Sequence, residues 1–96
     1  MSPLNKKKLN NIRNELDKLD NSLIKIIKTR TYLVKKVLKL KETKNQIVDK
    51  NRINKILSNI KKKSIKNNID PIITKKIWSS MIKAYIDFER RNFKKK

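Results

Sequence analysis

Between residues 9 and 40, apolar side chains recur at Ile12, Leu16, Leu19, Leu23, Ile26, Leu33, Val37 and Leu40, alternately four and three positions apart. That alternation gathers them on one stripe of an α-helix. One beat, between Ile26 and Leu33, is taken by Arg30. The stripe predicts a first helix over residues 5–42, roughly 55 Å long at the α-helical rise. A compact domain of about 100 residues has a radius of gyration near ~13 Å, so this helix outreaches its own domain. What remains of the chain is too short to cover the stripe, and a second copy is expected to cover it. An obligate homodimer follows as the expectation.

After this helix, residues 43–48 read as a short loop with Asn45 as its turn residue. Asp49 is suited to cap a second helix over residues 49–66, whose face carries Ile53, Ile56, Leu57 and Ile60 at i, i+3, i+4 and i+7. That helix fades through the basic run 61–63 and is expected to stop at Asn67 and Asn68, where Asn substitutes for a C-terminal glycine. Asp70-Pro71 is a strong start signal, with Asp as N-cap and Pro in the first turn. The third helix is expected over residues 70–92. One row holds Ile73, Ile77, Met81, Ala84 and Phe88; a second holds Trp78, Ile82, Tyr85 and Phe93. Residues 90–96 are expected to fray into a basic end. The fold class is therefore all-α, three helices in a single domain over residues 1–96, without an internal repeat.

Charges standing inside these rows are the chemically informative feature. Lys41 follows Arg30 by eleven positions; at 100° per residue the two lie about 20° apart and roughly 16 Å along the axis. Val34 and Val37 sit between them on the same stripe. On the third helix, Glu89 closes the otherwise apolar row of Trp78, Ile82 and Tyr85. An uncompensated buried charge is costly, and a core built only for stability avoids one. Structural explanations stand beside this: Arg30 paired with Glu89 or Asp20, Lys41 snorkelling at a helix end, and Glu89 exposed near a frayed terminus. Taken together, two cations and one acid on apolar rows point to a pocket for an anion. Arg13 faces about 100° away from Arg30 on the helix. It is either a solvated flank residue or, in a dimer of antiparallel helices, a contribution to the partner's pocket.

Composition narrows the chemistry. The chain has no Cys, so disulfides, thiol nucleophiles and zinc-thiolate sites are excluded. It has no His, the commonest general base and metal ligand, and no Gly for a phosphate-cradling loop. No apolar run approaches the roughly 18 residues of a membrane span, and residues 1–9 lack a signal-like apolar segment. A cytoplasmic setting without membrane association is expected. The formal charge of +20 suggests a polyanion partner at first sight. Yet 23 of the 28 basic residues are Lys, amid abundant Asn and Ile. A drift of exposed positions toward A/T-rich codons accounts for that excess as well. The aromatic residues sit in or beside apolar helix rows rather than where bases would stack, so nucleic acid is an unlikely partner.

In sequence order, Ile12-Arg13-Asn14-Glu15-Leu16-Asp17-Lys18-Leu19-Asp20, then Thr29-Arg30 and Lys41, then Ile47-Val48-Asp49-Lys50-Asn51-Arg52 stand at compatible spacings. They are followed by Ile77-Trp78-Ser79-Ser80-Met81-Ile82 and Tyr85-Ile86-Asp87-Phe88-Glu89. The series resembles the all-helical class of chorismate mutases over about residues 9–92. The resemblance implies an intertwined dimer with two active sites and no cofactor, rearranging chorismate to prephenate on the route to phenylalanine and tyrosine. It implies that Arg30, with Arg13 of the partner chain, holds the two substrate carboxylates. Lys41 would bind a carboxylate and the ether oxygen, and Glu89 would donate a hydrogen bond to that oxygen. Asp49 and Arg52 would lie around the ring and its hydroxyl, with Tyr85 also at the site. A pericyclic reaction needs neither nucleophile nor metal, which suits this composition. An acid must carry its proton to donate, so activity is expected to fall as pH rises.

One position departs from the pattern. Where that class usually has Glu after the residue matching Arg52, this chain has Ile53. An aliphatic residue there, with Tyr at the position of Tyr85, is similar to the isochorismate-pyruvate lyases, relatives on the same fold that release pyruvate to give salicylate. The apolar face of the second helix asks for a hydrophobe at Ile53 in any case. A non-enzymatic polyanion- or RNA-binding helical protein is the alternative from another class.

Overall fold

The computed structural model describes residues 1–95 as an all-helical chain. Helix α1 spans Pro3–Leu40, a 3-10 turn spans Lys44–Gln46, α2 spans Lys50–Lys66 and α3 spans Pro71–Asn92. No strand occurs among the described residues. No described helix is long and apolar enough to cross a membrane. Lys96, the last residue of the expected basic tail, lies outside the described residues.

Helix α1 begins earlier than its apolar stripe suggests. The Ser2 hydroxyl accepts from the Asn5 N–H at 3.2 Å, and the Ser2 carbonyl accepts from the Lys6 N–H at 2.9 Å. Pro3 occupies the first turn, where its missing N–H costs nothing. Neither Gly nor a further Pro interrupts the helix before Leu40. There the Lys41 N–H turns back to the Leu38 carbonyl at 3.2 Å, a tighter i→i−3 closure. Lys41, expected inside the helix, is therefore the first residue beyond it.

The chain falls into two compact units, Met1–Leu33 and the residues from Val34 onward. The first unit is helix alone. Ile12, Leu16, Leu19, Leu23 and Ile26 each keep more than half of their surface in water. Burying such a side chain fully is worth about 1.5–3 kcal/mol. Helices of this kind owe most of their stability to an apolar face being covered, and within its own unit this face is bare.

In the second unit, α2 and α3 pack against each other as a hairpin. Leu38 and Ile47 are its buried hydrophobes. Ile53, Ile56, Leu57 and Ile60 of α2 are half-buried, as are Trp78, Ile82 and Tyr85 of α3. The row of α3 that contains Glu89 is thus the more protected one, while Ile73 and Ile77 of the other row remain exposed. Each helix start has its cap: Asp49 accepts from the Arg52 N–H at 3.0 Å, and Asp70 accepts from the Ile72 N–H at 2.9 Å. Between α2 and α3, Asn68 takes φ 56°, the left-handed conformation usually left to glycine. The Asn68 N–H then bonds the Ile65 carbonyl at 3.2 Å and the Ile69 N–H bonds the Ser64 carbonyl at 2.9 Å, closing the end of α2. A hydroxyl pair also joins the helices: Ser64 Oγ and Thr74 Oγ1 lie 2.6 Å apart, both buried. Ser64 Oγ is also 2.6 Å from the Ile60 carbonyl of its own helix.

Candidate active site

Lys41, the first residue after α1, and Glu89, near the end of α3, meet in the second unit. Lys41 Nζ donates to Glu89 Oε2 at 2.8 Å, with the two side chains only 18% and 8% exposed. Glu89 is therefore neither a surface residue nor part of a frayed end, and Lys41 is anchored rather than snorkelling. A second, longer contact joins Lys41 Nζ to the Ile47 carbonyl at 3.5 Å. Ile47 is 4% exposed and plugs the loop between α1 and α2 into the core. The direction of Lys41 is thus set by this loop and by α3, and not by helical arithmetic extended from Arg30.

Two exchanges hold the loop in shape. The Gln46 side-chain Oε1 accepts from the Glu42 N–H at 2.6 Å and from the Thr43 N–H at 3.1 Å. The Gln46 N–H in turn donates to the Thr43 carbonyl at 3.2 Å. The expected irregular loop consequently contains the short 3-10 turn Lys44–Gln46. An open hollow of about 590 Å³ lies beside it, lined by Val37, Leu40, Lys41, Gln46, Val48, Asp49, Lys50 and Asn51. Lys41 and Lys50 bring two ammonium groups to this lining, balanced by Asp49 in the lining and by Glu89 paired with Lys41.

The candidate residues divide between the units. Lys41 and Glu89 touch, and Lys41 shares the hollow with Asp49, whose carboxylate is already used as the cap of α2. Arg52 is exposed in the first turn of α2, Ile53 beside it is half-buried, and neither lines that hollow. Tyr85 is half-buried one turn before Glu89 on α3. Arg13 and Arg30 belong to the first unit, Arg13 exposed and Arg30 half-buried. Sequence reasoning overlooked Gln46 because its role depends on a side chain reaching back to backbone N–H groups. A signal existed: Thr43 followed three residues later by Gln is the spacing of a capping box.

Buried ion pairs are poor stability devices, since desolvation offsets most of their attraction. One whose ammonium group lines an open hollow is better explained by what it does to a ligand. The elements define an all-helical protein that keeps an ammonium and a carboxyl group out of water at the junction of α1, the following loop and α3. The family model described as chorismate mutase type II matches residues 12–90, and the chain belongs to that family. No curated protein and no solved structure matches the chain.

Proposed function

We propose that the chain catalyses the cofactor-free rearrangement of chorismate to prephenate, as a homodimer with two sites, in the synthesis of phenylalanine and tyrosine. The observation that carries this reading is the Lys41–Glu89 pair, held at 2.8 Å with little access to water. In the reaction a C–O bond breaks while a C–C bond forms, and negative charge builds on the ether oxygen. An ammonium has three protons to give. Two of them point at Glu89 and the Ile47 carbonyl, and the third serves the ether oxygen. Glu89, held against Lys41, stands beside the same oxygen as the second group of the site. Such donors act on the transition state more than on the substrate, and losing one costs about 3–4 kcal/mol.

Arg30 and the Arg13 of a second copy clamp the two carboxylates, turning a flexible dianion into a reactive conformer. The exposed stripe from Ile12 to Ile26 supports the dimer, because only another chain supplies enough apolar surface to cover it. Asp49 and Arg52 serve the ring hydroxyl. Tyr85, which precedes Glu89 by one turn, packs on the ring.

Ile53 in place of an acid, together with Tyr85, supports a second reading, the elimination of pyruvate from isochorismate to give salicylate. Incubating pure protein separately with chorismate and isochorismate tests both. Prephenate from chorismate is the expected product; salicylate from isochorismate, without prephenate, selects the lyase. Turnover of neither, with tight and steeply salt-dependent RNA binding, overturns both in favour of a polyanion-binding protein.

A further inference from the structure

We infer that Gln46 is a positioning residue for Lys41, acting through the loop that joins α1 to α2. The inference rests on the catalytic role proposed for Lys41. After α1 closes at Leu40 and the Lys41 N–H returns to Leu38, the next two backbone N–H groups, of Glu42 and Thr43, turn to the side chain of Gln46. Gln46 Oε1 takes both, at 2.6 and 3.1 Å. Two converging donors identify this atom as the amide oxygen and not the nitrogen. One side chain thereby ties residue 46 back onto residues 42 and 43, with Ile47 next in line.

Ile47 is the consequence that matters. Its side chain is buried, and its carbonyl oxygen faces Lys41 Nζ. Lys41 is long and flexible, and its rotamer freedom must be restrained to hold its ammonium in one place. Glu89 supplies one restraint from α3, and the Ile47 carbonyl supplies the other from the loop. The second exists only while the loop keeps its turn. The Gln46 amide is thus the outer support of a donor whose misplacement by about 1 Å costs on the order of a hundredfold in rate.

Two variants separate positioning from direct substrate contact. Gln46→Leu keeps the bulk and removes the acceptor. Gln46→Glu keeps acceptor oxygens for both N–H groups while replacing the amide NH2 by negative charge. The first readout is independent of turnover: the ¹⁵N-correlated NMR signal of the Lys41 ammonium, identified by its loss in Lys41→Met. The signal of an ordered ammonium is expected in the wild type and in Gln46→Glu, and broadened or displaced in Gln46→Leu. In the assay, kcat falls by about tenfold or more in Gln46→Leu, while Gln46→Glu keeps kcat within about threefold of wild type and raises KM, because it adds a negative charge to the lining of the hollow. An unaltered Lys41 signal in Gln46→Leu overturns the inference. So does a Gln46→Glu variant whose kcat falls as far as that of Gln46→Leu, since the two N–H groups then keep an acceptor and the rate is lost all the same. A wild-type protein that turns over neither substrate defeats the enzymatic reading, while the NMR comparison still decides whether Gln46 holds Lys41.

Discussion

Replacing Lys41 by Met tests, in one protein, what the ion pair does for folding and for chemistry. The change keeps an unbranched chain of similar length and removes the ammonium. Glu89, 6% exposed, then loses the partner that lies 2.8 Å from it. Breaking a buried pair from one side costs about 3–5 kcal/mol. The Lys41 side chain is 18% exposed, so the lower end, about 3 kcal/mol, applies. Lys41→Met/Glu89→Leu leaves no buried charge and is expected to regain most of the lost stability. Chemistry behaves differently, because the ether oxygen has lost the Lys41 donor in the single and the double variant alike. Both are expected to lose about 10²–10³-fold in kcat. Urea unfolding at one fixed protein concentration measures the first quantity, and the initial rate of prephenate formation measures the second. A double variant no more stable than Lys41→Met refutes the stranded-charge account. A Lys41→Met enzyme within tenfold of wild type refutes the catalytic one.

Further outcomes follow from the same picture. Arg30→Ala and Arg13→Ala each abolish turnover without dissolving the dimer, and mixing the two inactive proteins restores part of the activity, because one hybrid site holds both arginines; no recovery after verified subunit exchange argues against shared sites. Glu89→Gln places an amide N–H donor beside Lys41 and is expected to retain turnover, whereas Glu89→Leu loses about 10²–10³-fold in kcat; equal rates for the two variants remove Glu89 from the site's chemistry. Asn68→Ala lowers stability by about 1 kcal/mol, since φ 56° is unfavourable for a side chain with a Cβ and no local polar group, whereas Asn68→Gly is neutral or stabilising; thermal melts at equal concentration read both, and equal melting temperatures would contradict the stated backbone cost.

What was legible in the sequence was whatever depends on neighbours along the chain. Asp49 and Asp70-Pro71 announce helix starts by local hydrogen bonding, and both carboxylates cap as their positions suggest. Ser2-Pro3 is the same device, but it precedes the apolar stripe, so periodicity places the helix start at residue 5 and the structure places it at Pro3. Glu89 was visible as an acid on an apolar row, although its pairing with Lys41 depends on a contact 48 positions away. Lys41 itself lies past the end of α1, so periodicity pointed to the right residue through a geometry that stops one step earlier. Gln46 was signalled only by its capping-box spacing from Thr43, and the Ser64–Thr74 hydroxyl pair was invisible as a packing feature, because polar residues of these types are ordinary on a helix or in a loop until a specific partner is placed against them. The row of Ile73 and Ile77 was as apolar as that of Trp78 and Ile82; which one turns inward is decided by packing between α2 and α3, not by composition.

The central claim is that this chain holds a cation in place for a dianion whose charge moves to its ether oxygen. Calorimetric titration with a bicyclic ether dicarboxylate shaped like the transition state tests it most directly. The account predicts one molecule bound per chain, far more tightly than substrate, and at least a hundredfold weaker binding to Lys41→Met. Equal affinity for the two proteins, or no binding to either, would contradict it.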